Sequence, residues 1–204
     1  MAKDKGPLAY TMRNVRVFKL NQFGGIFRSI MVHDIEEIQI NNFQLQLQLT
    51  EVEGLYQSEV KVDVFKEGKL LKEEILILDG TTFLYSLENN DEGGTVAGFY
   101  NNLLISCGDS LLCYSVPDLG LQWGFKPGPF DLFEFYWLEG DILIRGESSV
   151  FRVNKSGEEV WSFTGNDIFV NNNGENEVQI FDSYILLTDA DSKEYKIDFN
   201  GNAL

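Results

Sequence analysis

The residue types that most often carry catalysis are scarce in this chain. It contains one histidine, His33, and two cysteines, Cys107 and Cys113. His33 has no partners with which to complete a Ser/His/Asp arrangement, and the sequence contains no nucleophile elbow, phosphate-cradling glycine loop or zinc helix. Its position beside Asp34 is typical of a surface histidine paired with a carboxylate. We therefore predict that the protein is not an enzyme.

The remaining metal and redox motifs are weak. The two cysteines flank a predicted turn in LISCGDSLLCYSV, and without a secretory signal they favour two reduced, partly buried thiols over a hairpin disulfide. Zinc needs more ligands than this segment offers. In TDADSKEY, Asp189, Asp191 and Glu194 lie close together, but Lys193 interrupts the ligand spacing of a calcium loop, so a hairpin turn is the better interpretation. We expect neither a metal nor another cofactor.

Acidic side chains dominate the charge of the chain. The net charge is −16, with 10 Lys/Arg against 15 Asp/Glu in residues 1–100 and 6 against 17 in residues 101–204. Such a surface repels phosphate backbones and anionic lipid headgroups, so we expect neither nucleic acid nor a membrane as the ligand. A basic protein is the natural complement, although excess Asp and Glu also keep a strand-rich protein in solution.

The chain lacks recognisable targeting segments. No stretch approaches the roughly 20 apolar residues of a transmembrane helix, and the opening MAKDKGPLAY has no apolar signal-peptide core. We therefore predict a cytoplasmic protein. With 204 residues, of which 44% are apolar, the chain is long enough for one well-buried domain, and we predict that residues 1–204 form it.

A pattern of strand, turn glycine and strand recurs five times. The copies are VRVFKLNQFGGIFRSI, VKVDVFKEGKLLKEEI, LLCYSVPDLGLQWGFK, SVFRVNKSGEEVWSFT and KEYKIDFNGNAL. Their turn glycines are Gly25, Gly68, Gly120, Gly157 and Gly201, spaced by 43, 52, 37 and 44 residues. The longest interval contains ENNDEGGT, which has the composition of a surface-loop insertion. A period near 40–45 residues, with three or four short strands per copy, is typical of β-propeller blades.

The segments SGEEVWSF and DLGLQWGF resemble the outer hairpins of the tryptophan-containing repeats in pyrroloquinoline-quinone-type propellers, relatives of the WD-repeat family. Trp123 and Trp161 stand at the family's tryptophan position, where the first two copies have Phe27 and Lys72 nearby. From about Val15 onward, the resemblance implies an all-β, propeller-like fold of about five short antiparallel blades. Family enzymes that hold the quinone are longer and use more blades, so the resemblance implies no such cofactor here.

Two strands bear on the architecture. In FDLFEFYWL (130–138), strict alternation places Phe133, Phe135 and Trp137 on one face and Leu132, Tyr136 and Leu138 on the other, with Glu134 as the polar exception. In FQLQLQL (43–49), leucine alternates with glutamine, which predicts a strand with one exposed face and is equally typical of a β-sandwich. Because the first two copies are the more divergent, residues 1–100 are alternatively a sandwich-like sheet packed on a shorter repeat region.

The sequence thus predicts a non-catalytic protein-binding module whose acidic surface is directed at a basic partner. Two polar, acidic loops, ENNDEGG and GNDIFVNNNGENE, lie outside the repeat pattern and supply the candidate contacts. The candidate partner-binding residues are Glu88, Asp91, Glu92, Asp167, Glu175 and Glu177.

Two narrower functions stay open. One is an intracellular inhibitor of the immunity-protein kind, whose acidic surface blocks the cationic cleft of a basic toxin such as a nuclease. The other is a small sugar-binding lectin propeller in which Trp123, Trp137 and Trp161 stack on the ligand. We favour instead that Trp123 and Trp161 lock neighbouring blades together and that Trp137 lies in the core. A sugar or another small molecule stays open as a ligand.

Overall fold

The computed structural model describes residues 16–19, 29–52, 57–80, 82–87, 93–171 and 175–204, whose only regular elements are β-strands. Sixteen strands form four antiparallel sheets that follow one another along the chain: β1–β5, β6–β9, β10–β13 and β14–β16. Among these residues there is no helix of the length and hydropathy needed to cross a membrane. The strands are β1 (Arg16–Lys19), β2 (Ser29–Ile40), β3 (Phe43–Val52), β4 (Gln57–Lys66), β5 (Lys69–Asp79), β6 (Val96–Phe99), β7 (Asn102–Cys107), β8 (Ser110–Ser115), β9 (Leu121–Phe125), β10 (Leu132–Leu138), β11 (Asp141–Gly146), β12 (Ser149–Val153), β13 (Glu159–Thr164), β14 (Val178–Ile180), β15 (Ile185–Thr188) and β16 (Glu194–Ile197).

The first sheet is built from long strands with one buried face. The leucines of residues 43–49 are fully buried on β3, and its glutamines lie on the exposed or half-buried face, as the alternation predicts. The leucines pair in register with Val60, Val62 and Val64 of β4, which are also fully buried. One face of this sheet therefore supplies core, and the other is a polar surface.

The repeats do not each form a separate blade. The turn at Gly68 joins β4 to β5, and β1 pairs with β2, so the first two copies lie in the same five-stranded sheet. The described residues therefore form four sheets, and the prediction of about five short blades is corrected here. Strands β2 and β3 connect the two copies, because β2 pairs with β1 and β3, and β3 pairs with β4. The sandwich-like alternative placed residues 1–100 in one sheet with one buried face. The first sheet has one buried face, but it ends at Asp79.

The later turn glycines lie in hairpins as predicted. Gly120 precedes β9, Gly157 lies between β12 and β13, and Gly201 follows β16, where an isolated bridge joins Ile197 to Ala203. The turn near Gly25 lies outside the described residues. Each of the second, third and fourth sheets thus carries one repeat hairpin near its outer edge.

Buried cores join successive sheets face to face. In β7, Leu103 and Ile105 pack toward the first sheet, whereas Leu104 packs toward the third. In β11, Ile144 packs toward the second sheet and Leu143 toward the fourth. Inner strands that are apolar on both sides are what face-to-face stacking requires, because each sheet is covered twice. Among the described residues, no buried core joins the fourth sheet back to the first, so no closed ring is seen there.

Side chains from the outer strands link neighbouring sheets. Trp123 of β9 donates its Nε1–H to the Lys155 carbonyl at 3.2 Å, and Trp161 of β13 donates to the Phe199 carbonyl at 2.8 Å. Each indole packs on the turn glycine of the next sheet: a Cβ at Gly157 would lie 2.6 Å from Trp123 Cδ2, and one at Gly201 would lie 2.8 Å from Trp161 Cδ2. The two tryptophans therefore lock adjacent sheets together, as predicted.

The first sheet uses a lysine for the same link. Lys72 of β5 donates through Nζ to the Asp118 carbonyl in the β8–β9 turn, and it also pairs with Glu74 at 2.6 Å. The acceptor carbonyl therefore lies in the outer hairpin turn of the next sheet in all three links. The lysine keeps the hydrogen bond but lacks the flat apolar ring.

A bulge changes the predicted faces of β10. The register with β11 shifts between Leu132 and Phe135, so Leu132 lies in the same core as Phe135, against which Trp137 also packs, and not in the core that contains Tyr136. Phe133 is 39% exposed rather than buried. Strict alternation fails here because the extra residue of a bulge moves every side chain on one side of it to the other face.

Candidate protein-binding face

One end of the molecule collects the segments that pass from each sheet to the next. Leu132 N–H donates to the Gly108 carbonyl at 2.7 Å, Phe169 N–H donates to the Glu147 carbonyl at 2.7 Å, and Ala190 N–H donates to the Ile168 carbonyl at 2.9 Å. These bonds tie the inter-sheet segments to the β7–β8, β11–β12 and β15–β16 turns. We call this end the connector face.

The connector face is strongly acidic. Its described residues include nine carboxylates and three basic groups, two of which are held in ion pairs. The basic groups are Lys126, Arg145 and Lys193. The carboxylates belong to Asp79, Asp109, Asp131, Glu147, Asp167, Glu175, Glu177, Asp189 and Asp191.

Apolar side chains lie exposed among these carboxylates. Phe130 is 50% exposed in the segment before β10, and Ile168 and Val170 are exposed in the segment after β13. Arg145 links β10 to the segment after β13, because its guanidinium carbon lies 4.6 Å from the Phe133 ring centroid and its Nη1 donates to the Phe169 carbonyl at 2.9 Å. Apolar groups inside a charged rim are the usual anatomy of a protein–protein interface.

A buried ionic cluster supports the centre of this face. Arg145 donates through Nε and Nη2 to both carboxylate oxygens of Glu134, and Nη2 also pairs with Glu177 Oε1 at 2.9 Å. Tyr136 donates its hydroxyl to Glu134 Oε1 at 3.1 Å. The side chains of Glu134 and Arg145 are each 8% exposed. The cluster carries one net negative charge and holds β10, β11 and the segment before β14 in one arrangement.

The pKa shifts in the cluster follow from burial and charge. Burial alone lowers the pKa of Arg145, but its hydrogen bond to Glu134 and the charges of Glu134 and Glu177 outweigh that effect, so the pKa lies above its usual value. Burial and the nearby Glu134 raise the pKa of Tyr136. Both groups therefore keep their protonated forms at neutral pH, and neither is available as a general base.

A cleft of about 320 Å³ opens at the side of the connector face next to the first sheet. Lys126 pairs with Asp109 at 2.7 Å across it, and this hydrogen bond lowers the pKa of the Asp109 carboxyl. Asp79 accepts a hydrogen bond from Gln57 at 3.0 Å, and Asp131 is exposed. The cleft therefore remains net negative after its internal ion pair is counted.

The six predicted contact residues fall into two groups. Glu88, Asp91 and Glu92 lie outside the described residues; the next described residue, Gly93, passes against Glu134 and Tyr136. Asp167, Glu175 and Glu177 all lie on the connector face. Asp167 is half-buried and accepts a hydrogen bond from the Ile168 N–H at 2.8 Å, Glu175 is exposed, and Glu177 is held by Arg145.

Several residues of the connector face were not predicted from the sequence as members of a site. Glu134 and Arg145 are the only ionic side chains within the interior of their otherwise apolar strands, FEFYW and ILIR. A charged residue in a doubly buried strand must find a partner, so two such residues in neighbouring strands are a usable signal of a buried ion pair. Asp109, Asp131 and Asp191 carried no such signal, because they lie in ordinary polar turns.

The remaining candidate residues from the sequence lie in a core, in a hairpin turn or in a strand. Cys107 packs toward the first sheet and Cys113 toward the third, so the thiols are buried in different cores and separate. Trp137 stacks on Phe99 with ring centroids 5.3 Å apart. Asp189 accepts hydrogen bonds from the Asp191 and Lys193 N–H groups in the β15–β16 hairpin turn, and no described group of His, Cys, Asp and Glu is arranged to hold a metal ion. His33 lies within β2.

Comparisons with known proteins do not assign this chain to a family. No family model matches the sequence, and no curated protein matches it. Among solved structures, the chain is similar to the AfRom2 CNH domain, with 12% identity, a TM-score of 0.49 and coverage of 93% of this chain and 69% of that one. It is also similar to a protein of unknown function from Bacteroides caccae, with 19% identity, a TM-score of 0.43 and coverage of 71% and 52%.

Proposed function

We propose that this chain is a non-catalytic protein-binding module and that its connector face binds a basic protein. The observation that carries the proposal is the combination of a net negative face with exposed apolar side chains between the charges. Long-range attraction speeds the encounter with a cationic surface, and apolar burial supplies affinity after contact. The buried ionic cluster under the face supports the proposal because it keeps the contact surface in one arrangement before binding.

We further propose that the sheets are consecutive blades of a propeller-like stack. Support comes from the three equivalent links, in which Lys72, Trp123 and Trp161 each donate to a carbonyl in the outer turn of the next sheet. In such a stack the connector segments gather at one end, so a binding face there is assembled from several sheets. Loops at that end can vary without disturbing the cores.

The test uses two sets of substitutions that remove equal charge from opposite ends. All six residues are exposed, and each set removes three negative charges. The face set is Asp131→Asn, Glu147→Gln and Asp191→Asn. The control set, in the turns at the opposite end, is Glu67→Gln, Asp118→Asn and Asp182→Asn.

Immobilised wild-type and variant proteins are exposed to lysate of the source organism at low salt, and bound proteins are eluted with rising salt. We expect a basic protein that wild-type and control bind and that the face set loses. Equal retention by all three, or equal loss from both sets, would contradict the connector face as the binding site. An activity assay of the captured protein then separates an inhibitor from a general binding module.

A further inference from the structure

Four partly exposed apolar side chains lie on the connector face in two pairs. Arg145 lies between the pairs, because its guanidinium carbon is 4.6 Å from the Phe133 ring centroid and its Nη1 donates to the Phe169 carbonyl at 2.9 Å. The Phe169 side chain is fully buried, whereas the residues on either side of it are exposed. We call the four side chains the apolar centre: Phe130 (50% exposed), Phe133 (39%), Ile168 (45%) and Val170 (38%).

Carboxylates stand on both sides of the apolar centre. Asp131 lines the cleft next to the first sheet. Asp167 precedes Ile168, and Asp191 lies in the β15–β16 turn of the fourth sheet. A matching ligand surface is apolar in the middle and cationic at both ends, because charges of opposite sign then face each other across the contact.

The backbone beside the apolar centre is already fully hydrogen-bonded. The Ile168 N–H donates to the Asp167 carboxylate at 2.8 Å, and the Ile168 carbonyl accepts from the Ala190 N–H at 2.9 Å. The Phe169 N–H donates to the Glu147 carbonyl at 2.7 Å, and its carbonyl accepts from Arg145. A partner chain therefore finds no backbone ladder to extend at these two residues. It must satisfy its own backbone groups where the contact excludes water, which a helix does and a single strand does not.

The distance across the face sets the length of such a helix. The apolar centre and its carboxylates extend from the side of the second sheet to the fourth sheet. Stacked sheets lie about 10 Å apart, so this distance is about 20 Å. An α-helix rises about 1.5 Å per residue, so about 14 residues cover it.

We propose that the basic partner contacts the connector face through an amphipathic α-helix of about 14 residues. One apolar stripe of the helix packs on the apolar centre, and lysine or arginine at its two ends lies against Asp131 on one side and Asp167 and Asp191 on the other. The inference rests on the proposed function, because it specifies the kind of partner that the same face binds.

The test uses two synthetic peptides of about 18 residues, or about five helical turns. Both have the same leucine and lysine composition, but one places its leucines in a single helical stripe and the other spreads them around the helix. Calorimetry measures affinity at concentrations where the peptides are monomeric, and circular dichroism measures helix gained on binding. We expect the striped peptide to bind at least about tenfold more tightly, a difference of about 1.4 kcal/mol, and to gain helix. Equal affinity, or binding without added helix, would overturn the proposal.

Matched variants locate the contact. Ile168→Ser removes part of the apolar centre, and Ile75→Ser makes the same change at a side chain that is 58% exposed on the polar face of the first sheet. We expect Ile168→Ser to weaken the striped peptide and to leave the spread peptide unchanged, whereas Ile75→Ser should change neither. Phe130→Ser tests the other pair in the same way. Equal effects of the connector-face and control variants would contradict the assigned contact.

The peptides also separate this inference from the proposed function, because they carry equal charge. If both bind equally and both are lost with Asp131→Asn, Glu147→Gln and Asp191→Asn together, the acidic face is supported as a binding site and the helical partner is overturned. If neither peptide binds, the helical partner is likewise overturned, and the capture of a basic protein from lysate decides the proposed function independently.

Discussion

Replacing Trp161 with alanine tests how the sheets are held together. The indole bridges the third and fourth sheets, packs on Gly201 and donates a 2.8 Å hydrogen bond to the Phe199 carbonyl. A fully packed aromatic side chain buries about 150–250 Å², and the half-buried Trp161 side chain is taken to bury about 100–150 Å². At about 25 cal/mol per Å², that area contributes about 2.5–4 kcal/mol, and the hydrogen bond adds about 1 kcal/mol. We expect Trp161→Ala to cost about 3–5 kcal/mol of unfolding free energy.

The assay is urea denaturation followed by circular dichroism, since the substitution removes one of the three tryptophans that report by fluorescence. Val160→Ala is the control, because Val160 is 51% exposed on the same strand, and it should cost less than about 0.5 kcal/mol. A loss below about 1 kcal/mol for Trp161→Ala, with an unchanged denaturant slope, would refute the bridging role and would make the indole available as a ligand platform.

A double-mutant cycle refines this test. Gly201 has φ +81°, and a Cβ there would lie 2.8 Å from Trp161 Cδ2. Gly201→Ala should therefore cost about 1–3 kcal/mol through backbone strain, plus the clash with the ring. In the Trp161→Ala background the clash disappears, so the two losses should be less than additive. Strict additivity would mean that the ring and the turn do not contact each other.

The remaining predictions concern buried polar groups. Arg145→Met should cost about 3–5 kcal/mol because it leaves the Glu134 carboxylate buried without its partner; adding Glu134→Gln should recover part of the loss in thermal unfolding, and no recovery would contradict the ion pair as the cause. Burial raises the pKa of the Cys107 thiol to about 12 and that of Cys113 to about 11, so both thiols should stay unreactive toward a disulfide reagent at pH 8 until the chain unfolds. Since both pKa values lie above the unfolded value of 9.0, stability should also fall as pH rises from about 9 toward 12; a flat stability profile above pH 9, or rapid reaction of the native thiols, would contradict their burial.

The all-β class could be predicted from local sequence because strand periodicity and turn chemistry are local properties. The alternation in residues 43–49 gave the buried and exposed faces of β3, and the turn glycines at Gly68, Gly120 and Gly157 marked hairpins. The two complete tryptophan repeats predicted the inter-sheet locks at Trp123 and Trp161. In each case the signal is a spacing of a few residues that the backbone geometry converts directly into structure.

The grouping of strands into sheets could not be read in this way. The first two repeat copies share one sheet because β2 and β3 pair between β1 and β4, and a repeat count does not show which strands pair. The faces of β10 changed because of one bulge between Leu132 and Phe135, which strict alternation does not anticipate. Both outcomes depend on which strand lies beside which.

The candidate binding face likewise combines one property that the sequence determines with others that only the tertiary structure decides. Composition determined that the chain is strongly acidic, because charge is fixed by residue type alone. Only the tertiary structure brought Asp131, Glu147 and Asp191 to one end, paired Glu177 with Arg145, and left apolar side chains between the carboxylates. These residues come from the third and fourth sheets and from the segments that lead into them, and their proximity is set by the stacking of cores that no single stretch of sequence encodes.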